Sequence, residues 1–209
     1  MRKVLHLDTS IQTSNSVSRR LSAAIVAKLT DHNRSLEIVY RDLAANPLPH
    51  LTEPVFGALV SSADILRLSD EQQRDVADSA RALSEFLDAD TVVIGVAFYN
   101  YSIPSPLKAW VDRIVVAGKT FTYGEDAGPV GLAGGKRVIV AIARGGVFAD
   151  GSPNAGREHA ERYLRDIFAL VGINDVEVVV AEGLALGPDE SSLAVRRALD
   201  GIESINVAR

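Results

Sequence analysis

Short apolar runs alternate with segments of helical periodicity along the whole chain, and this alternation restricts the fold more than any other feature. Lys3 to Asp8, Leu36 to Arg41, Thr91 to Val96, Arg137 to Ala143 and Val176 to Ala181 have the composition of strands. Thr91-Val92-Val93-Ile94-Gly95-Val96 is apolar on both faces, as a strand at the centre of a parallel sheet must be. Between these runs, Ser18 to Thr30 spaces Leu21, Ile25, Val26 and Leu29 as a helix does. Asp70 to Leu87 starts as a capping box, with Ser69 before it and Gln72 three residues on, and is expected to bury Val76, Ala80, Leu83 and Leu87. Pro106 to Gly118, Glu158 to Val171 and Ser191 to Val207 complete the helices, with Gly172 placed to end the fourth. Strands alternating with helices in this way require a parallel sheet covered on both sides. The expected architecture is a flavodoxin-like three-layer sandwich, strand order 2-1-3-4-5, in one domain over residues 1–209. In such sheets ligands sit beyond the carboxyl ends of the strands, at the switch point.

Composition removes several functions. The net charge is −5, and no run of Lys or Arg exceeds the pairs Arg19-Arg20 and Arg196-Arg197, so no nucleic-acid partner is expected. With Cys 0, a thiolate zinc site and a cysteine nucleophile are excluded, which also fits a reducing, cytoplasmic location. No apolar run is long enough to span a membrane, and the one that starts at Val4 ends at Asp8, so it is a strand rather than a leader. The four histidines have no metal-ligand spacing, and no G-x-S-x-G elbow exists.

Three post-strand loops hold chemistry. The first, Asp8 to Ser18, carries Thr9, Ser10, Thr13, Ser14, Asn15, Ser16 and Ser18 but no glycine; the chain's first glycine is Gly57. A glycine-rich dinucleotide fingerprint is therefore absent. A Walker A loop is absent too, because Gly135-Lys136 has Val130 and Arg137 at the other required positions. Hydroxyls before a helix start suit an anion such as phosphate, or they simply cap the helix. The second loop, Phe98-Tyr99-Asn100-Tyr101, offers stacking surface and polar hooks for a flat ligand, or an aromatic cluster packed on its neighbours. The third, Ala143-Arg144-Gly145-Gly146, lets backbone approach a ligand closely, or is a plain turn.

With these residues together, the chain resembles the FMN-dependent NADH azoreductases, also described as NADH:quinone oxidoreductases, of the flavodoxin-like superfamily. Arg41-Asp42-Leu43-Ala44-Ala45-Asn46-Pro47-Leu48-Pro49, Ile103-Pro104, Pro106-Leu107-Lys108, Asp112-Arg113, Gly118 to Tyr123 and Ala181-Glu182-Gly183 extend the likeness over nearly the whole chain. The resemblance implies that Ser10, Ser16, Val17 and Ser18 hold the FMN phosphate. Phe98, Tyr99, Asn100 and Tyr101 would flank the isoalloxazine, and Ala143, Arg144, Gly145 and Gly146 would border its pyrimidine side. Phe121 and Tyr123 would line the acceptor pocket. It further implies hydride transfer from NADH or NADPH to FMN, then two-electron reduction of a quinone or azo compound by ping-pong turnover, with no side chain as obligatory catalyst. Ala143 stands where the family often has serine, and Phe98 where methionine or tryptophan also occurs. A flavodoxin-type one-electron carrier is the competing reading. The segment Asp42 to Leu68 argues against it, being long and carrying Leu48, Leu51, Val55, Phe56, Leu59 and Val60 with little regularity. That much apolar loop is expected to pack in a C2 homodimer with two FMN sites at the interface, the alternative being that it folds back onto its own domain.

Overall fold

The computed structural model describes residues 2–61, 65–124 and 128–207. Its main sheet has five parallel strands, β1 (Lys3–Asp8), β2 (Glu37–Asp42), β3 (Thr91–Ala97), β6 (Arg137–Ala143) and β7 (Val176–Ala181), in the order β2-β1-β3-β6-β7. Counting only these five, the order is the expected 2-1-3-4-5. The reversal falls between β1 and β3, whose register pairs Asp8 with Gly95. A short antiparallel hairpin, β4 (Phe121–Tyr123) and β5 (Pro129–Gly131), stands apart and was not expected from the sequence.

Two apolar layers hold the sandwich together. On one face α3 (Asp70–Asp88), α4 (Ser105–Ile114) and α5 (Ala160–Leu170) bury Phe86, Trp110 and Phe168 against Leu5, Ile94 and Val140. On the other, α1 (Val17–His32) and α6 (Pro188–Glu203) bury Leu21, Ile25, Ala198 and Ile202 against Val4, Val93 and Ile139. The strand alternation thus feeds successive side chains to opposite layers. Gly95 sets the approach of α1 to the sheet: a Cβ there would lie 2.5 Å from Asp8 Oδ1, 2.9 Å from Ser22 Oγ and 3.0 Å from the Ser18 carbonyl oxygen.

Two expectations about burial need correction. The buried stripe of α3 is Asp75, Val76, Ser79, Ala82, Leu83 and Phe86, while Ala80 and Leu87 face outward. The cause is Arg113 of α4, fully buried, which donates to Ser79 Oγ (2.9 Å), Asp75 Oδ2 (3.2 Å) and the Pro49 carbonyl (2.7 Å). Polar residues belong on this face because a buried guanidinium must be paired. The segment Asp42 to Leu68 also has more regularity than expected. Glu53–Val60 forms α2, with Pro54 in its first turn, and Val55 and Leu59 pack on Val76. Leu48 joins the main core, whereas Phe56 and Val60 are exposed. Ser62 to Asp64 within that segment lie outside the described residues.

Candidate functional site

β1, β3 and β6 end at the same edge of the sheet, and their following loops meet there. The first loop turns into α1 with Ser16 as N-cap, its Oγ accepting from the Arg19 amide at 3.3 Å. Ser16 Oγ lies 3.1 Å from Ser18 Oγ, and both residues are buried. Two hydroxyls that share one contact keep one proton free to donate outward. Val17 opens the helix and leans on the α1–α6 layer. No acidic residue stands in the first turn, so the helix itself sets no negative charge against an anion at the positive end of its dipole.

Ser10 is buried, accepts from the Gln12 amide (3.1 Å) and lies 3.4 Å from the Tyr99 hydroxyl. This contact joins the first loop to the second. Tyr99 to Ser102 is a tight two-residue turn with both cross-strand amide bonds made (3.1 and 3.0 Å) and with positive φ at Asn100 (49°) and Tyr101 (69°). A primed turn without glycine is strained, on the order of 1 kcal/mol or more per residue. It holds two side chains, half-exposed Tyr101 and exposed Asn100, at the edge of the sheet.

The third loop departs from β6 at Ala143, whose carbonyl accepts from the Phe98 amide (3.0 Å), tying the second and third loops together. The carbonyls of Arg144, Gly145 and Gly146 accept from the Leu184, Ala185 and Gly183 amides in turn. Those carbonyls are thereby committed to the post-β7 segment, and the glycine amides are left as the loop's donors. The Arg144 side chain points inward. It is 3 % exposed, with Nη2 3.1 Å from Glu158 and 3.6 Å from Glu161, and Nη1 3.6 Å from Glu182. Its guanidinium also lies over the Phe98 ring at 5.5 Å. Arg144 therefore anchors Phe98, the Glu158–Glu161 segment and Glu182 from behind the loop cluster.

Sequence reasoning missed several members of the site. Phe148 packs on Phe98 (4.8 Å) and Tyr101 (5.9 Å) and makes the aromatic wall three-sided. Its signal, an aromatic shortly after Gly145-Gly146, is weak. Beside this wall, Tyr99, Ile103, Pro104, Lys108 and Tyr163 line a cleft of about 560 Å³. The sequence assigns no site role to Arg19 or Asp42, which pair beneath the first loop (2.7 Å). Phe121 and Tyr123 are not brought to the loops within one chain. They follow α4, which runs about 15 Å back from the carboxyl edge, and the hairpin is tied by Leu132 to Thr120 and by Ala133 to Val171. Phe121 is buried there and Tyr123 is 72 % exposed.

Among the described residues no helix is long and apolar enough to cross a membrane, and no group of three or more His, Asp or Glu is placed to hold a metal ion.

A hydroxyl-lined helix start, an aromatic turn and a glycine pair at the switch point of a 2-1-3-4-5 sheet define a flavin-binding class of α/β protein. The chain belongs to the family of the flavodoxin-like fold, whose model matches residues 2–205. Within it, the chain is 50 % identical over 207 residues to an FMN-dependent NADH:quinone oxidoreductase of Xanthomonas campestris pv. campestris, covering 98 % of this chain and 100 % of the relative. It is also 50 % identical over 206 residues to FMN-dependent NADH:quinone oxidoreductase 2 of Bradyrhizobium diazoefficiens, covering 99 % and 100 %. Its backbone matches the crystal structure of an azoreductase from Bacillus anthracis str. Sterne with a TM-score of 0.85 at 32 % identity, covering 98 % of both chains. An FMN-dependent NADH-azoreductase from Bacillus anthracis str. Ames Ancestor, solved in complex with FMN, matches with a TM-score of 0.84 at 27 % identity, covering 98 % and 99 %.

Proposed function

We propose that this protein is an FMN-dependent NADH oxidoreductase that reduces quinones and azo compounds by two-electron transfer. The observation that carries the reading is the linkage of the three loops at one edge. Ser10 touches Tyr99, Phe98 bonds Ala143, and each loop offers what one part of FMN needs. The donor set fits the cofactor: free amides and hydroxyls at the start of α1 for a phosphate, an aromatic wall for a tricyclic ring, and bare glycine amides for its polar edge.

Bound there, FMN supplies the hydride chemistry, and the protein supplies position and electrostatics. Ser16, Ser18 and the first amides of α1 would hold the phosphate, with Ser10 on the ring side. Tyr99, Asn100 and Tyr101, in their strained turn, and Phe98, backed by Phe148, would flank the ring. The Gly145 and Gly146 amides would donate to its pyrimidine edge and stabilise negative charge there. No side chain is required to move a proton. The dinucleotide and the acceptor use the open face in turn. The chain acts as one domain over residues 1–209, in the cytoplasm, where NADH and a cysteine-free chain are both at home.

A second subunit completes the site in this reading. Phe56, Val60 and Ile65 expose apolar surface around α2, being 52 %, 41 % and 43 % accessible. Phe121 and Tyr123 reach a cofactor only from a partner, since in their own chain they sit at the other end of α4. The acceptor pocket is therefore assigned to the interface of a C2 homodimer. Steady-state kinetics with NADH and a benzoquinone, and with NADH and an azo dye, tests the proposal. Parallel double-reciprocal lines support one face serving both substrates in turn. Intersecting lines, with both substrates bound together, contradict it.

A further inference from the structure

The phosphate loop is held from behind by an arginine that has nothing left to give a phosphate. Arg19 is the third residue of α1, where the helix dipole disfavours a cation. Its side chain folds back under the loop. Nη2 donates to the Ser10 carbonyl (2.8 Å) and to Asp42 Oδ1 (2.8 Å). Nη1 donates to Asp42 Oδ2 (2.7 Å) and to the Tyr40 hydroxyl (3.2 Å). Nε donates to the Gln12 carbonyl (3.0 Å). A guanidinium has five N–H donors, and all five are committed. Asp42 is itself fixed at the end of β2, where Oδ1 also accepts the Ala44 and Ala45 amides at 3.1 and 3.0 Å.

We propose that Arg19, anchored by Asp42, is a positioning residue that pre-shapes the Ser10–Ser16 loop for the flavin phosphate without touching it. The proposal rests on the assignment of that loop to the phosphate. The pair is close to neutral, so its contribution is order rather than attraction. Two carbonyls that would otherwise be free to turn toward the ligand are turned away, and the loop's amides are left facing outward. The ordering cost of the loop is then met on folding and not on binding.

The test compares FMN with riboflavin, which has no phosphate, by fluorescence quenching on the protein stripped of flavin. Arg19→Met and Arg19→Lys are each expected to weaken FMN roughly tenfold, as the ordering cost of the loop shifts back onto binding, and to leave riboflavin within about twofold. Lysine should not rescue, because one ammonium cannot span two carbonyls and a carboxylate. The near-isosteric Asp42→Asn should weaken FMN in the same direction, and Arg19→Met/Asp42→Asn should be no weaker than Arg19→Met alone. Amide exchange at residues 11–15 should quicken in each variant while core exchange is unchanged. Full rescue by lysine would mean direct phosphate contact and overturn the proposal. So would wild-type FMN affinity in both Arg19→Lys and Asp42→Asn. Ser16→Ala/Ser18→Ala separates the two claims: if it too binds FMN as wild type does, the phosphate-loop assignment itself is wrong. If it alone loses affinity, only the role of Arg19 falls.

Discussion

Gly95→Ala tests whether the sheet and α1 are as close as the site requires. The new methyl would lie 2.5 Å from Asp8 Oδ1, 2.9 Å from Ser22 Oγ and 3.0 Å from the Ser18 carbonyl. None of these is the loose end of a flexible side chain. Asp8 is 3 % exposed and held by Ser22 (2.8 Å) and Tyr40 (3.0 Å), and the Ser18 carbonyl is helix backbone. Either α1 moves outward or the Ser22–Asp8 bond breaks. Overpacking costs about 1–3 kcal/mol, and a lost hydrogen bond to a buried carboxylate about 1.5–3 kcal/mol. The two are alternatives more than a sum, so the expected loss is about 1.5–3 kcal/mol, read as a lower urea midpoint at unchanged slope. Because Ser18 is displaced, FMN affinity should fall too. Gly57→Ala is the control: nothing lies within 4 Å of its Cβ, and a helical Gly→Ala there should stabilise by about 0.4–1 kcal/mol. A Gly95→Ala protein within about 0.5 kcal/mol of wild type would refute the close approach.

Three further outcomes are expected. Ser16→Ala and Ser18→Ala should each weaken FMN roughly tenfold to a hundredfold, at about 1.5–3 kcal/mol per charge-assisted bond, checked by flavin fluorescence. Tyr40 and Tyr163 have hydroxyls pushed up to about 12, by burial first and then by Asp8 and Asp112 respectively, so an ultraviolet titration should find both ionising late. Because these values are raised, their stabilisation is complete below about pH 10, the ordinary tyrosine value, and is lost as pH climbs through about 12. Tyr40→Phe should remove one late titration. Light scattering at micromolar concentration should give twice the 22.3 kDa chain mass, and a fully active monomer would remove the second subunit from the site.

Much of this was legible in the sequence because the governing signals are local. Apolar strands such as Val92-Val93-Ile94 and Val138-Ile139-Val140 announce a doubly covered sheet, and chain order then leaves few topologies. The Ser69–Gln72 capping box is formed as read. What escaped depends on distant partners. The α3 stripe carries Asp75 and Ser79 because Arg113 arrives from another helix, which breaks the apolar period. In α2, two buried residues, Val55 and Leu59, make too short a pattern to detect, although Thr52 and Pro54 mark its start. Arg144 and Arg19 look alike in sequence, as cations near candidate loops. Only the positions of Glu158, Glu161 and Glu182, and of Asp42, show that both face inward. Loop positions at strand ends follow from topology, but which atoms of a loop face the ligand does not.

Hydride delivery from NADH to the bound flavin is read by anaerobic mixing of the FMN-loaded protein with NADH. The visible flavin band should bleach completely, with one NADH consumed per bound FMN, and anaerobic quinone should then restore it. A protein that binds FMN tightly yet keeps its colour under excess NADH, while accepting single electrons from a chemical reductant, would be a one-electron carrier and not an NADH oxidoreductase.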